Sequence, residues 1–415
     1  MMTRTSIALV VMAFAAGSAV MSGQTPAAGV TVFANARIIV GDGSAPIENG
    51  AFIVDGDRIT RVGRTTSDLK APAGARRVDL AGKTVMPGII DTHVHMPETR
   101  EALIDALRRK AYHGVSVVMS LGSDPGDLAF QVREERIPGA ARLLTAGRGI
   151  TMPEPGRSDV PYWITTGAEA RKAVQELAAK KVDFVKIWVD DRDGKYKKLT
   201  PELYGAVIDE AHKQGVRVTV HVYYLEDAKG LLRAGVDAFA HGVRDKDVDE
   251  EFMTLVKQRP TFFLVPNMPD RGVASDLSWL SGSVPEDVLK KLQAGATDRP
   301  NAQPAFGIQA RNLARFNAAG VKIALGTDGN VAWSQHVEME DMVASGMTPH
   351  QVIVAATRNG AELLRLPDHG TIAAGKIADF IVLDANPLDD IKHTRRISDV
   401  YIRGAKVDRA ALRTP

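Results

Sequence analysis

Between residues 86 and 366, eight short apolar runs alternate with amphipathic stretches, and few folds tolerate that alternation. The runs span 88–95, 115–121, 142–147, 184–189, 217–224, 238–243, 262–266 and 322–328. Helix-period segments fit between them at 98–113, 169–181, 201–213, 226–234, 249–258 and 309–319. Runs this apolar suit strands covered on both faces, and parallel strands need a long crossover, such as a helix, to return the chain. An α/β class follows, and eight strand–helix repeats over this length predict a (β/α)8 TIM barrel across 86–370.

The flanks read differently. β-branched runs at 30–40, 51–54 and 58–62 are separated by Gly41-Asp-Gly43, Glu48-Asn-Gly50 and Asp55-Gly-Asp57, which are hairpin signals. Matching runs at 378–383, 400–402 and 405–407 lie near the other end. The two ends, 29–85 and 371–415, are expected to pair into one small β-sandwich domain. Before them, Arg4 precedes an uncharged stretch whose apolar heart, Ile7 to Gly17, has the length of a signal h-region and is short for a membrane span. Residues 1–28 are therefore expected to be a signal peptide, and the mature protein periplasmic or secreted and free of the membrane. With no cysteine in the chain, stability there cannot come from disulfides. A net charge of +2 over 415 residues offers no basic stripe for phosphates, so nucleic acid is excluded and a small molecule is the expected partner.

Six side chains able to bind metal stand at the ends of the barrel runs. They are His93 and His95 in Pro87-Gly-Ile-Ile-Asp-Thr-His-Val-His95, Lys186, His221, His241, and Asp328 in Ala324-Leu-Gly-Thr-Asp-Gly329. Residues i and i+2 of a strand share a face, so His93 and His95 point the same way. Strand ends on one rim are where barrel enzymes keep their chemistry. Lys186 lies inside Phe184-Val-Lys-Ile-Trp-Val189, where burial disfavours its charge. An ordinary ion pair with Asp190 or Asp191 is one reading of it. The other is that the neutral amine adds CO₂ and becomes a carbamate whose two oxygens bridge two cations.

These segments resemble the amidohydrolase superfamily, with its HxH on strand 1, carboxylated lysine on strand 4, histidines on strands 5 and 6 and aspartate on strand 8. Among its branches the chain is most similar to the imidazolonepropionase-related group that includes Xaa-Pro dipeptidases and N-acyl-amino-acid hydrolases. The resemblance implies two divalent ions, zinc being the first choice from the mixed N/O donors. His93, His95 and Asp328 would hold one ion and His221 and His241 the other, with carboxylated Lys186 and a hydroxide between them. Asp328 would move the proton from the hydroxide to the departing amine. A tyrosine at the spacing of Tyr223 from His221 occurs in the dipeptidase-like branch, which implies oxyanion stabilisation by Tyr223.

Specificity rests on loops. Arg148, Arg192, Arg244 and Arg271 each follow a strand end, and a guanidinium there can grip a substrate carboxylate. Arg244 is the first choice, with Arg148 and Arg271 behind it. The branch's Gly-Gly-His-Gly-like segment after strand 3 is here Gly147-Arg-Gly-Ile-Thr-Met-Pro153, a departure from the dipeptidase pattern. The long 267–304 connection, with a short helix at 286–292, reads as a lid or a contact between subunits, and a homo-oligomer is expected. His336 and Glu338 are expected behind the site, whereas His113, His212, His350, His369 and His393 need no special role. Three functions fit: hydrolysis of an amide to an amino acid (a dipeptide or N-acyl amino acid), hydrolysis of a carbamate, cyclic amide, lactone or phosphoester at the same site, or secreted metal or solute binding without turnover.

Overall fold

The computed structural model describes residues 29–329 and 331–412. The expected signal peptide, 1–28, lies outside the described residues. Among those residues, no helix is long and apolar enough to cross a membrane.

Each of the eight apolar runs contains a strand. We label these barrel strands β1 (Ile89–Val94), β2 (Val115–Ser120), β3 (Arg142–Thr145), β4 (Val185–Val189), β5 (Val218–Val222), β6 (Ala238–Ala240), β7 (Phe263–Val265) and β8 (Lys322–Ile323). All ladders within β1–β3 and within β4–β8 are parallel. Two seams complete the ring. Asp183 N–H donates to Thr145 O at 3.0 Å between β3 and β4, and Thr92 N–H donates to Leu325 O at 2.9 Å between β8 and β1. Strand interiors such as Val117, Ile187 and Val220 are fully buried, as parallel strands under helices require.

Helices follow the strands at Arg100–Tyr112, Gly167–Ala179, Pro201–Lys213, Leu225–Ala234, Glu250–Lys257 and Gln303–Ala318. Several start at side-chain caps: the hydroxyl of Thr99 accepts from Ala102 N–H, and Thr166 with Glu169 forms a full capping box. The last of these helices starts earlier than the 309–319 pattern, with Pro304 in its first turn where its missing N–H costs nothing. The helix Ser334–Ala344 had no counterpart in the sequence reading, because its buried face carries His336, Glu338, Glu340 and Asp341 and hides the apolar period. The 267–304 connection carries its helix at Glu286–Gly295, longer than expected.

The chain ends mix in one eight-stranded sheet. Thr84–Pro87, which leads into β1, pairs antiparallel with Phe380–Leu383 and in parallel with Thr31–Ile38. One face buries Phe33, Phe52, Phe380 and Tyr401, with Phe33 stacked on Phe52 at 4.9 Å and Phe380 on Tyr401 at 4.5 Å. Val32, Ala51, Ile53 and Leu69 pack on the other, the alternation of Val32 and Phe33 following the pleat.

Candidate metal centre and active site

The predicted ligands converge at the C-terminal rim of the barrel. His93, on β1, lies fully inside, and its Nε2 is 3.1 Å from Asp328 Oδ1. Nε2 of His95 lies at the same 3.1 Å from that oxygen. His241, one residue past β6, brings Nε2 to 3.4 Å from Asp328 Oδ2. Ligand atoms of His93, His241 and Asp328 all fall within 4.8 Å of one another. The ring of His221, from β5, sits 4.5 Å from that of His241.

Local backbone geometry sets these positions. Asp328 and His241 adopt left-handed φ values of 53° and 118°, which non-glycine residues hold only where the surroundings fix them. Asp328 N–H donates to His93 O at 2.8 Å and His241 N–H to Val265 O at 2.9 Å, tying each ligand to a neighbouring strand. Gly326 permits the approach of β8 to β1, since a Cβ there would meet Val265 Cγ1 at 2.4 Å and His93 Cβ at 2.9 Å.

Outer partners orient the rings. Asn267 Oδ1 lies 3.0 Å from His93 Nδ1, so the proton sits on Nδ1 and the lone pair on Nε2 faces Asp328. Asp190 Oδ2 lies 2.8 Å from His221 Nε2, which leaves Nδ1 of that ring as its ligand atom. Arg244 donates to His241 Nδ1 and to Gln309 Oε1, the latter at 3.1 Å. Burial pushes the His221 imidazole down to about 3, and Lys186 and Arg192 add to that against the pull of Asp190. Burial and the charge of Lys186 likewise bring His93 down to about 4. Burial opposes ionisation of Asp328, yet the fields of His93 and His241 and the contact with His95 hold its carboxyl far below the usual range. The site therefore sets His93, His221 and His241, whose imidazoles burial holds below their ordinary pKa, beside a carboxylate.

Lys186, on β4, is wholly buried, and its Nζ has no hydrogen-bond partner. Asp190 is engaged with His221 and Arg192 instead, and Asp191 with the hydroxyl of Tyr224, so the plain ion-pair reading of Lys186 fails. Burial drives its amine down to about 7, with Asp328 pulling the other way. Trp188, two residues on, lies beside it with the ring centroid 5.5 Å from Nζ. Gly122 and Gly149 make room for that indole, as a Cβ on either would lie within 2.7 Å of it.

The loop residues divide. Tyr223 is half-buried, its ring 4.9 Å from Tyr224 and its carbonyl accepting from Arg244 N–H. Arg244 reaches the site through His241. Arg192 is bound by Asp190 and Glu154. Arg148 and Arg271, expected to grip a carboxylate, are committed elsewhere. Arg148 lies 4.0 Å over the Tyr162 ring and donates to backbone carbonyls at 159–161, because the chain after β3 turns back through the short strands Ile150–Thr151 and Tyr162–Trp163. Arg271 is drawn to Asp341 at 3.3 Å. Glu338 does back the site, accepting Met268 N–H at 3.0 Å next to Asn267. His336 points the other way, to Thr394 Oγ1 and His113 O, since residues two apart on a helix face different sides.

Sequence reasoning missed the lock behind the ligands. Asp91, inside the same motif as His93, takes Lys110 Nζ at 2.9 Å, Thr327 Oγ1 at 2.9 Å and Thr327 N–H at 3.1 Å. It joins β1 to the Asp328 turn. A buried-strand aspartate was the available signal.

Comparisons with known proteins agree with this arrangement. A crystal structure of a candidate prolidase from Bifidobacterium longum superposes with a TM-score of 0.76 at 26% identity, covering 93% of this chain and 98% of that one. Ochratoxinase of Aspergillus niger is 26% identical over 425 residues, 89% of this chain and 84% of that protein. Imidazolonepropionase of Deinococcus radiodurans is 25% identical over 391 residues, 87% and 92% of the two chains. Residues 84–407, the barrel with its adjoining small-domain strands, match the model of the amidohydrolase family, and the chain belongs to that family of metal-dependent hydrolases.

Proposed function

We propose that the protein is a binuclear metal-dependent hydrolase of an amide bond to an amino acid, in a dipeptide or an N-acyl amino acid. One observation carries the reading: His93, His95 and His241 meet Asp328 within 3.4 Å, beside a buried lysine whose amine has no hydrogen-bond partner among the described residues. His93 Nε2, His95 Nδ1 and Lys186 Nζ are buried polar atoms without hydrogen bonds, and native structures seldom leave such atoms unsatisfied. Cations fit this donor set. His93, His95 and Asp328 would hold one and His221 and His241 the other. His241 would bind through Nε2, the ring nitrogen that faces Asp328.

Lys186 supplies the bridge. With its amine brought down to about 7, a large neutral fraction exists at neutral pH. The amine nitrogen attacks CO₂, a proton leaves to solvent, and the carbamate offers two oxygens. Bound there, two divalent ions, zinc by preference, would acidify a water and polarise the scissile carbonyl. Asp328, held as a carboxylate at the rim, accepts the water's proton and returns it to the departing amine nitrogen. The Tyr223 hydroxyl, without a hydrogen-bond partner among the described residues, donates to the carbonyl oxygen as charge develops on it. Arg244 meets the carboxylate of the amino acid.

The candidate prolidase and the ochratoxinase among the relatives support an amide with an amino-acid leaving group. Metal analysis together with turnover of a dipeptide and N-acyl-amino-acid panel tests the reading. Stoichiometric metal with no amide turnover but rapid cleavage of a lactone or phosphoester would overturn it. Export to the periplasm or medium belongs to the same proposal on the strength of the Ile7–Gly17 stretch, and N-terminal sequencing of the mature protein checks it. A homo-oligomer, checked by light scattering, completes it.

A further inference from the structure

A cavity of about 350 Å³ opens beside the site, between the 268–299 connection and the helix Ser334–Ala344. Its wall begins within one residue of the centre: Thr327 precedes Asp328, and Met268 follows Asn267, the partner of His93. Its volume falls in the range of small-molecule sites.

The lining says what the cavity accepts. Met268, Val273, Leu277, Val331, Trp333 and Val337 face it. Every arginine in the wall is matched by an acid: Arg271 by Asp341 at 3.3 Å, Arg299 by Asp270 at 3.0 Å, and Arg395 by Glu340. The remaining acid, Glu338, accepts Met268 N–H, and burial favours its neutral form. A charged guest would have to break one of these pairs, at the cost of leaving a charge unpaired. Two of the four large hydrophobic side chains exposed on the described surface, Val273 at 37% and Val331 at 42%, stand in this wall. Apolar surface left open next to a reactive centre is a mark of ligand contact.

We infer that this cavity is the acyl-side specificity pocket, taking a bulky uncharged apolar group, so that the preferred substrates are long-chain or aromatic N-acyl amino acids rather than N-acetyl ones. The inference rests on the amide-hydrolase reading above. It gives the 268–299 connection a role as the outer wall of the substrate site.

The test compares kcat/KM for N-decanoyl and N-acetyl forms of one amino acid. The native enzyme is expected to favour the decanoyl form. Narrowing the cavity with Val337→Trp or Leu277→Trp lowers the decanoyl-to-acetyl ratio by about tenfold or more, the scale on which apolar pockets discriminate. Val288→Trp, exposed on the helix Glu286–Gly295 and outside the lining, leaves the ratio unchanged. An acetyl preference in the native enzyme, or an unaltered ratio in both cavity variants, overturns the inference. Calorimetric binding of N-decanoyl glycinol, which has no carboxylate, reads the pocket without turnover. Saturable binding weakened by Val337→Trp supports the pocket even if the hydrolase reading fails, and no binding overturns it.

Discussion

Two of the lysines buried in this barrel, Lys110 and Lys186, differ in one respect. Lys110, on the helix Arg100–Tyr112, is 1% exposed and meets Asp91, itself 0% exposed, at 2.9 Å, with Ser334 Oγ at 3.3 Å. Lys186 is 0% exposed and, among the described residues, has no hydrogen-bond partner, only the Trp188 ring beside it. A buried ammonium must be paired or give up its proton. Lys110 is paired, and it ties the helix Arg100–Tyr112 to β1 and to Ser334. Lys186 is not, and its amine is left available for chemistry. Burial of a charge is thus read as architecture or as function according to whether its partners are present.

The most severe way to press this contrast is Lys186→Met. Turnover and binuclear metal content are expected to be lost, whereas the metal-free protein melts at the same temperature as native or higher, because an unpaired buried amine has been removed. A variant that binds two metals and retains activity would break the comparison. Asp328→Asn comes next, with kcat falling about 10²- to 10⁴-fold, the usual worth of a positioned acid–base group, measured in steady state at saturating metal. Lys110→Met should do the reverse of Lys186→Met: it leaves Asp91 unpaired in the core and costs about 3–5 kcal/mol in denaturant unfolding. Asn267→Ala removes the partner that fixes the His93 ring, and weakens metal affinity by about 10- to 100-fold in chelator competition.

Per pH unit, the titration of Lys186 is the smallest effect. The folded amine of Lys186, at about 7, lies below the 10.5 of an ordinary lysine, so between those values the unfolded chain binds the extra proton. Stability of the metal-free protein therefore rises with pH across that window, by at most about 1.4 kcal/mol per pH unit, and the cost of the buried charge is in full force below 7. Melting temperatures of native protein and Lys186→Met should converge as pH rises. Parallel curves would show that Lys186 carries no depressed pKa.

Much of the barrel was legible because its signals are local. Eight apolar runs each contained a strand, and His93 and His95 share a face as alternation on β1 requires, whereas His241 and Asp328 stand in left-handed turns past their strands. What escaped was polar and buried. The helix Ser334–Ala344 was hidden by its own acids, and Asn267, Asp190 and Asp91 behind the ligands carry no spacing of their own. Arg148 and Arg271 show the converse, since a position after a strand end is visible in sequence but the direction of a long flexible side chain is set by whichever acid, carbonyl or ring is nearest.

The sequence by itself determined the order of strands and helices, the residues at the catalytic rim and the pairing of the chain ends, because periodicity and turn chemistry are properties of neighbours along the chain. Tertiary structure alone decided which buried charges are paired, which ring nitrogen faces the centre and where the apolar cavity opens, because each depends on atoms brought together from distant segments, and desolvation acts on that three-dimensional neighbourhood.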